Sequence, residues 1–305
     1  MVNRSFFILL FMIYFLIYSC SKEKCFIISL LNNSKYGEFI MAFDGIVVAG
    51  LVHELKQKLT DGRIAKIAQP EADELLLTIK SPCGQHRLLI SANASLPLIY
   101  LTDTNKPSPI TAPNFCMLLR KHISNSRITD ISQPKLERII CFTIEHFDEL
   151  GDLCQKKLIV EIMGKHSNVI LTDMTSGKII DSIKHVSAAM SSLREVLPGR
   201  TYCIPATQDD RLNPLEVTEE TFLGSAMKKP LPIAKALYTS FTGVSPLVAN
   251  EICHRASIDG DMSVDSLTPD AQKHLYHNFA WLMEDVKEHR YEPNIITRDR
   301  EPVEF

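Results

Sequence analysis

An α+β fold, β-rich in its first part and all-helical in its second, is predicted for this 305-residue chain by three observations. Short apolar runs separated by turn signals recur between residues 75 and 186. Apolar residues then recur at helical spacing from 217 to 290, and the change of pattern falls at Asn213-Pro214, which places a boundary near residue 210. The composition is that of a globular protein, 45% hydrophobic and 23% charged with 12 Gly and 16 Pro. A formal net charge of −3 removes any argument from a global positive excess, so a nucleic-acid partner has to be held by local basic patches.

Residues 1–40 stand apart. Arg4 precedes an apolar stretch over 6–18, short for a bilayer crossing of roughly 20 residues and close in length to a signal-peptide core. Ile17-Tyr18-Ser19-Cys20, followed by Ser21-Lys22-Glu23-Lys24, approximates a lipoprotein processing site with Cys20 as lipid acceptor, although Tyr18 is bulky where small residues are preferred. The alternative is translation from Met41: Gly37-Glu38 require purine-rich codons of ribosome-binding-site type just upstream. Counted from Met41, 29 basic residues face 34 acidic ones, a net charge of −5. Six scattered cysteines then remain, with no C-x-x-C pair, which suits a reduced cytoplasmic protein.

From residue 46 to 59, Val48, Leu51, Val52, Leu55 and Leu59 form a helical stripe that Asp61-Gly62 stops. Strands are expected over 75–79, 87–90 and 98–101, divided by Ser-Pro-Cys-Gly and Asn-Ala-Ser-Leu-Pro turns. After a loop over 107–113, residues 115–122 read as a helix with a basic last turn, favourable to its dipole. Further strands follow over 138–144, 157–163, 168–172 and 179–186, and the whole predicts a two-layer β core of about 150 residues. Helices are expected over 217–227, 233–241, 246–256 and 268–290, the last opened by Thr268-Pro269-Asp270.

Catalytic signatures are absent: there is no G-x-S-x-G, no G-x-x-x-x-G-K-[ST] and no H-E-x-x-H. His53-Glu54 lacks a second histidine at ligand spacing, and His274 and His277 lack a third ligand, so neither a metal nor a cofactor is expected. One motif carries a mechanism. Phe241-Thr242-Gly243-Val244-Ser245-Pro246-Leu247 resembles a helix-hairpin-helix turn, whose backbone N–H groups face a phosphate beside a helix N-terminus. Ser245 stands where a second glycine is usual, leaving phosphate binding at Gly243 and Ser245 and a purely structural turn as equal readings. The basic clusters are short: Arg120-Lys121-His122 with Arg127, Lys156-Lys157, Lys165-His166, Lys184-His185 and Lys228-Lys229. As isolated pairs they are solvated faces; if several converge they can track an RNA backbone.

Four strings together resemble one family. Met41-Ala42-Phe43-Asp44-Gly45-Ile46, Phe115-Cys116-Met117-Leu118-Leu119-Arg120-Lys121-His122, Glu161-Ile162-Met163-Gly164-Lys165-His166-Ser167-Asn168 and Leu197-Pro198-Gly199-Arg200-Thr201-Tyr202 are similar to the N-terminal domain of NFACT proteins. Bacterial members are called RqcH or, by an older label, fibronectin-binding protein A. The resemblance implies a non-enzymatic, cytoplasmic factor of ribosome-associated quality control. It would bind tRNA, alanine tRNA in bacteria, on the large (50S) ribosomal subunit beside a stalled peptidyl-tRNA, and support C-terminal alanine tailing without mRNA. It also implies a β-rich domain like that of formamidopyrimidine-DNA glycosylases followed by a helix-hairpin-helix domain. Base excision is not implied, because the processed N-terminal proline amine is missing. The residues it points to for tRNA are Asp44, Glu137 and Arg138, with Arg120, Lys121, His122, Lys165, His166, Gly243 and Ser245 as candidate phosphate contacts. Glu137 replaces the expected Asp. Without the family, Asp44 reads as a helix cap and Glu137-Arg138 as a surface pair where a strand begins. The domains expected are a leader over 1–40, a β-rich domain over 41–210, a helical domain over 211–292 and a truncated tail over 293–305, where members continue into a coiled coil and a further RNA-binding domain. The competing reading is a fibronectin-binding surface lipoprotein anchored through Cys20; a start at Met41 leaves no stable membrane partner.

Overall fold

A computed structural model describes residues 43–147, 151–191, 194–205 and 211–291, and the backbone of 296–298 and 301–304. The leader over 1–40, with Cys20, lies outside the described residues. Two compact units are present. One, the sheet unit, comprises residues 51–134 and the chain from 138 to 209; the other, the helical unit, joins the chain up to 50 and residues 135–137 to the part from 210 onward. Grouping 43–50 and 135–137 with helices that begin only at Glu219 is something no linear reading of domains supplies.

Helix α1 (Gly45–Leu59) begins in the helical unit and continues into the sheet unit. It stops as expected at Asp61-Gly62, though the left-handed residue is Asp61 (φ +64°). Gly62 is required for space, since a Cβ there would lie 2.7 Å from Ile79 Cγ2 and 2.8 Å from Leu59 O.

The sheet unit is built on nine antiparallel strands: β1 (Arg63–Glu71), β2 (Glu74–Ser81), β3 (Gly84–Ser91), β4 (Leu98–Leu101), β5 (Arg127–Ser132), β6 (Ile139–Phe147), β7 (Leu153–Glu161), β8 (Asn168–Asp173) and β9 (Ile179–Ser182). Their order is β4-β3-β2-β1-β5-β6-β7-β8-β9. Where a two-layer core was expected the strands form one sheet, with a meander on either side of the joint between β1 and β5, where the ladder pair Arg63↔Arg127 is flanked by Asp61 N donating to Ile128 O at 2.8 Å and Asn125 N to Ile64 O at 2.9 Å. Over β1 to β4 both faces carry buried apolar side chains. Leu76 and Leu89 pair on one face with Ala68 and Tyr100 beside them, while Leu75 with Ile90 and Leu77 with Leu88 are buried on the other. Helix α2 (Asn114–Ile123) packs against β1, β6 and β9, burying Phe115, Cys116, Leu119 and Ile123.

Strands β1 and β5 were not expected from the sequence, for a physical reason. Each carries a register shift, between Ile64 and Lys66 and between Ile128 and Asp130. The extra residue moves the inward isoleucines three apart, Ile64 and Ile67 in β1 and Ile128 and Ile131 in β5, all buried. A bulged strand loses its period of two.

In the helical unit, α3 (Glu219–Ser225), α4 (Ile233–Ser240), α5 (Pro246–Arg255) and α6 (Pro269–Lys287) surround Phe222, Phe241 and Phe279, whose ring centroids lie 4.7–5.6 Å apart. Thr218, Ser245 and Thr268 cap α3, α5 and α6 through their side chains, and Pro opens α5 and α6. Ile46 and Leu136 join this core from distant parts of the chain. In the tail, β10 (Ile296–Arg298) and β11 (Glu301–Glu304) pair as an antiparallel ribbon. Among the described residues no helix is long and apolar enough to cross a membrane.

Candidate functional site

Three strings that lie far apart in the sequence meet within the helical unit. Asp44, 7% exposed, stands just before α1. Its Oδ1 accepts the backbone N–H groups of Ile46 and Val47, each at 3.0 Å. Its Oδ2 accepts the Ser245 hydroxyl at 2.7 Å. Ser245 in turn caps α5, its Oγ accepting from Val248 N at 3.2 Å. One carboxylate therefore lies at the N-termini of two helices, where aligned peptide dipoles favour negative charge.

The backbone around this bond is packed to contact. Gly45 N donates to Gly243 O at 3.0 Å. A Cβ on Gly45 would fall 2.0 Å from Leu136 O and 2.6 Å from Gly243 Cα. One on Gly243 would fall 2.2 Å from Leu136 O, and Gly243 also holds φ at +73°. Both glycines are thus needed for close approach, and their partner is the residue that precedes Glu137-Arg138. Glu137 is half-buried and engaged. Arg138, where β6 is about to begin, accepts Ile162 N–H on its carbonyl at 2.9 Å. Among the described residues its guanidinium enters no hydrogen bond or ion pair, and the residue is half-buried.

A second network lies in the sheet unit. The Glu161 carboxylate, fully buried, accepts Arg194 Nη2 on Oε2 and the Tyr202 hydroxyl, at 2.9 Å, on Oε1. Burial, then the neighbouring Glu161 charge, pushes the Tyr202 hydroxyl well above its usual range. Two of the strings read in the sequence are joined by this carboxylate. The following turn is equally ordered: Gly164 takes φ +56°, Ser167 Oγ accepts Met163 N at 2.8 Å, and Asn168 holds both backbone polar groups of Lys184. It leaves Lys165 and His166 exposed on a fixed one-turn helix, Gly164–His166.

The other basic candidates sit at the end of α2. Arg120 Nε donates to Ile67 O at 2.9 Å, Lys121 is exposed and His122 is half-buried. Burial first, then the charges of Lys156, Lys121 and His146, hold the His122 imidazole below its ordinary value. Two clusters that are separate in the sequence, 120–122 and 156–157, therefore converge. His146 was missed by sequence reasoning; the β6–β7 register that carries it beside Lys156 was the only available signal. Among the described residues no hydrogen bond or ion pair joins this group to Lys165 or His166, and no group of three or more His, Cys, Asp or Glu is placed to hold a metal ion.

The family model for the NFACT N-terminal and middle domains matches residues 44–305. The chain belongs to the NFACT family. Among NFACT relatives, Rqc2 homolog RqcH of Bacillus subtilis (strain 168) is 41% identical over 257 residues, 84% of this chain and 43% of that protein. Ribosome quality control complex subunit 2 of Saccharomyces cerevisiae is 30% identical over 127 residues, 40% of this chain and 11% of that protein. The crystal structure of the N-terminal domain of fibronectin-binding protein PavA from Streptococcus pneumoniae superposes with a TM-score of 0.65 at 39% identity, covering 71% of this chain and 80% of that one. The chain spans less than half the length of both relatives. Within this NFACT chain, the F-D-G string, Leu136 and the hairpin turn are three parts of one locus.

Proposed function

We propose that this NFACT chain is an RNA-binding, non-enzymatic factor of ribosome-associated quality control, acting in the cytoplasm. In this reading it engages tRNA on the large (50S) subunit beside a stalled peptidyl-tRNA and supports mRNA-independent alanine tailing. The single observation that carries it is the locus in which Asp44, Gly45, Leu136, Gly243 and Ser245 are locked together immediately before Arg138. Arg138 is the RNA contact, able to take a phosphate or a base edge through two parallel N–H donors. Asp44, whose two oxygens are already bonded within the protein, acts as a positioning residue. The turn at Gly243 serves as a helix-hairpin-helix, and the β-rich part is related to that of formamidopyrimidine-DNA glycosylases. The test is tRNA retention on 50S particles by the chain and by Arg138→Ala; undiminished retention in a folded variant overturns the assignment to Arg138.

The name of the PavA structure favours one second reading, a fibronectin-binding surface protein. Anchoring through Cys20 would then be required. Palmitate labelling that disappears in Cys20→Ser supports it, and an absence of label removes it.

A further inference from the structure

Strand register assembles a cationic surface on the sheet unit from residues that stand apart in the chain. Arg63, Lys66 and Lys80 belong to none of the basic pairs read in the sequence. In the β1–β2 ladder Arg63 lies directly opposite Lys80, and Lys66 opposite Thr78, which shares a face with Lys80. Across the joint with β5, Arg63 also lies opposite Arg127. All four cations are exposed, on the face that further along the strands buries Ala68, Leu76 and Leu89. Direct neighbours in such a ladder sit about 5 Å apart at Cβ and diagonal ones about 7–8 Å.

Stability does not account for the arrangement. Like charges directly opposite destabilise a ladder, and Arg63 has one on each side. Lysines that guard a sheet against pairing with other chains belong on edge strands, whereas β1 and β2 are interior to the order β4-β3-β2-β1-β5. Other lysines of the unit are compensated: Lys56 by Asp130 at 2.7 Å, and Lys58 by Glu54 and Lys106 by Glu74 at 2.6 Å. Among the described residues Lys66 and Lys80 enter no hydrogen bond or ion pair, and the Arg63 guanidinium donates only to the neutral carbonyl of Asn125 at 3.0 Å. Carboxylates stand at the margin, where Asp61 holds Arg127 at 2.6 Å and Glu145, opposite Arg127, accepts Gln155 Nε2. On the β3 side Arg87, opposite Thr78, donates to the carbonyl of Asp103, a residue engaged in its own right. In a chain with 36 acidic residues against 33 basic ones, three adjacent cations without a paired carboxylate form a surface complementary to a polyanion.

We propose that Arg63, Lys66 and Lys80 form a docking surface for the phosphate backbone of large-subunit ribosomal RNA. Cations on a phosphodiester chain supply affinity and position without reading bases, and the diagonal spacing of Lys66 and Lys80 is on the scale of the step between successive phosphates. Ribosomal RNA is the occupant, and not the tRNA assigned to Arg138, because the two positions diverge. Glu145 marks the Arg63–Arg127 row on β6, and Arg138 continues the β6–β7 ladder at its far end through its carbonyl and Ile162 N. The two are about 24 Å apart along the strand, and their odd separation puts them on opposite faces. The inference rests on the RNA-binding reading under Proposed function and assigns its large-subunit contact.

The test is co-sedimentation with vacant 50S particles, without tRNA, over a range of salt. It compares the unaltered chain with the double variant Lys66→Gln/Lys80→Gln, with Lys56→Gln and with Arg138→Ala. The double variant weakens 50S binding about tenfold per lysine and lowers the slope of log K against log salt by about 0.7–0.9 per lysine, while its affinity for isolated tRNA is unchanged. Lys56→Gln, which removes the charge of a paired lysine, and Arg138→Ala bind 50S as the unaltered chain does. Unchanged affinity and slope in the double variant overturn the surface, and a loss confined to tRNA overturns the ribosomal assignment. Polyglutamate binding that the double variant abolishes, with 50S binding intact, assigns the surface to an acidic protein and overturns the RNA assignment as well. Urea unfolding separates binding from folding: Lys80→Gln, which removes a like-charge pair, leaves the midpoint unchanged or raised, and a lowered midpoint contradicts the premise that the cation is uncompensated. An unaltered chain that binds no 50S overturns both this inference and the reading it rests on. Retained tRNA in Arg138→Ala, with 50S binding lost in the double variant, overturns the assignment to Arg138 and leaves the surface standing.

Discussion

Replacing Gly243 by Ala tests whether close backbone approach organises the helical unit. The added Cβ meets Leu136 O at 2.2 Å, Leu136 Cβ at 2.6 Å and Gly45 Cα at 3.0 Å, and two of these three contacts are to backbone atoms that no rotamer change can move. The φ of +73° adds backbone strain of about 1–2 kcal/mol for an L-residue. Forced overpacking adds roughly 1–3 kcal/mol, so Gly243→Ala should destabilise the helical unit by about 2–5 kcal/mol. Two controls separate the causes. Gly224 lies within α3 with nothing inside 4 Å of a Cβ, and Gly224→Ala should stabilise by about 0.5–1 kcal/mol. Gly199 holds φ +82° in open space, and Gly199→Ala should show the strain alone, about 1–2 kcal/mol, in the sheet unit. The assay is urea unfolding followed by fluorescence of Trp281, the chain's one tryptophan, on α6, and by far-UV circular dichroism for the sheet unit. Equal effects for Gly243→Ala and Gly224→Ala would refute the reasoning.

Three further outcomes follow from the same geometry. Asp44→Ala strips the cap from α1 and leaves the Ser245 hydroxyl without its acceptor; it should cost roughly 1–3 kcal/mol, and Asp44→Asn less, in the same Trp281 assay. Tyr202 is raised by burial and by Glu161, so its contribution is full below the unfolded value of 10.0 and is lost as pH rises above it; alkaline unfolding should be shallower in Tyr202→Phe, and Glu161→Gln, which breaks a buried ion pair, should cost about 3–5 kcal/mol at neutral pH. Alkylation followed by peptide mapping should label exposed Cys83 and Cys203 in the native protein, whereas Cys141 and Cys253, buried and pushed up to about 11, should react only after unfolding.

What the sequence made legible was local. The stripe of α1, its stop at Asp61-Gly62 and the Thr268-Pro269 start of α6 depend on residues within one or two turns, and the structure places all three as expected. Asp44 as a helix cap was legible for the same reason. Its second bond was not, because Ser245 is 201 residues away and its hydroxyl stands where a glycine was expected. The bulges in β1 and β5 hid two strands by giving buried isoleucines a spacing of three. Glu161 and Tyr202 each belong to a recognisable string, yet nothing in either string announces that one buried carboxylate binds the other along with Arg194. The basic pairs at 120–122 and 156–157 read as separate solvated faces until the packing of α2 on β6 brought them together.

The measurement that tests the account most directly is tRNA retention on purified 50S particles carrying peptidyl-tRNA, compared between the unaltered chain and Arg138→Ala, with circular dichroism and Trp281 fluorescence confirming that both fold. The account predicts that the unaltered chain retains tRNA and that the variant, equally folded, loses it, because Arg138 is the RNA contact proposed above. Equal retention by the two proteins, or none by either, contradicts it.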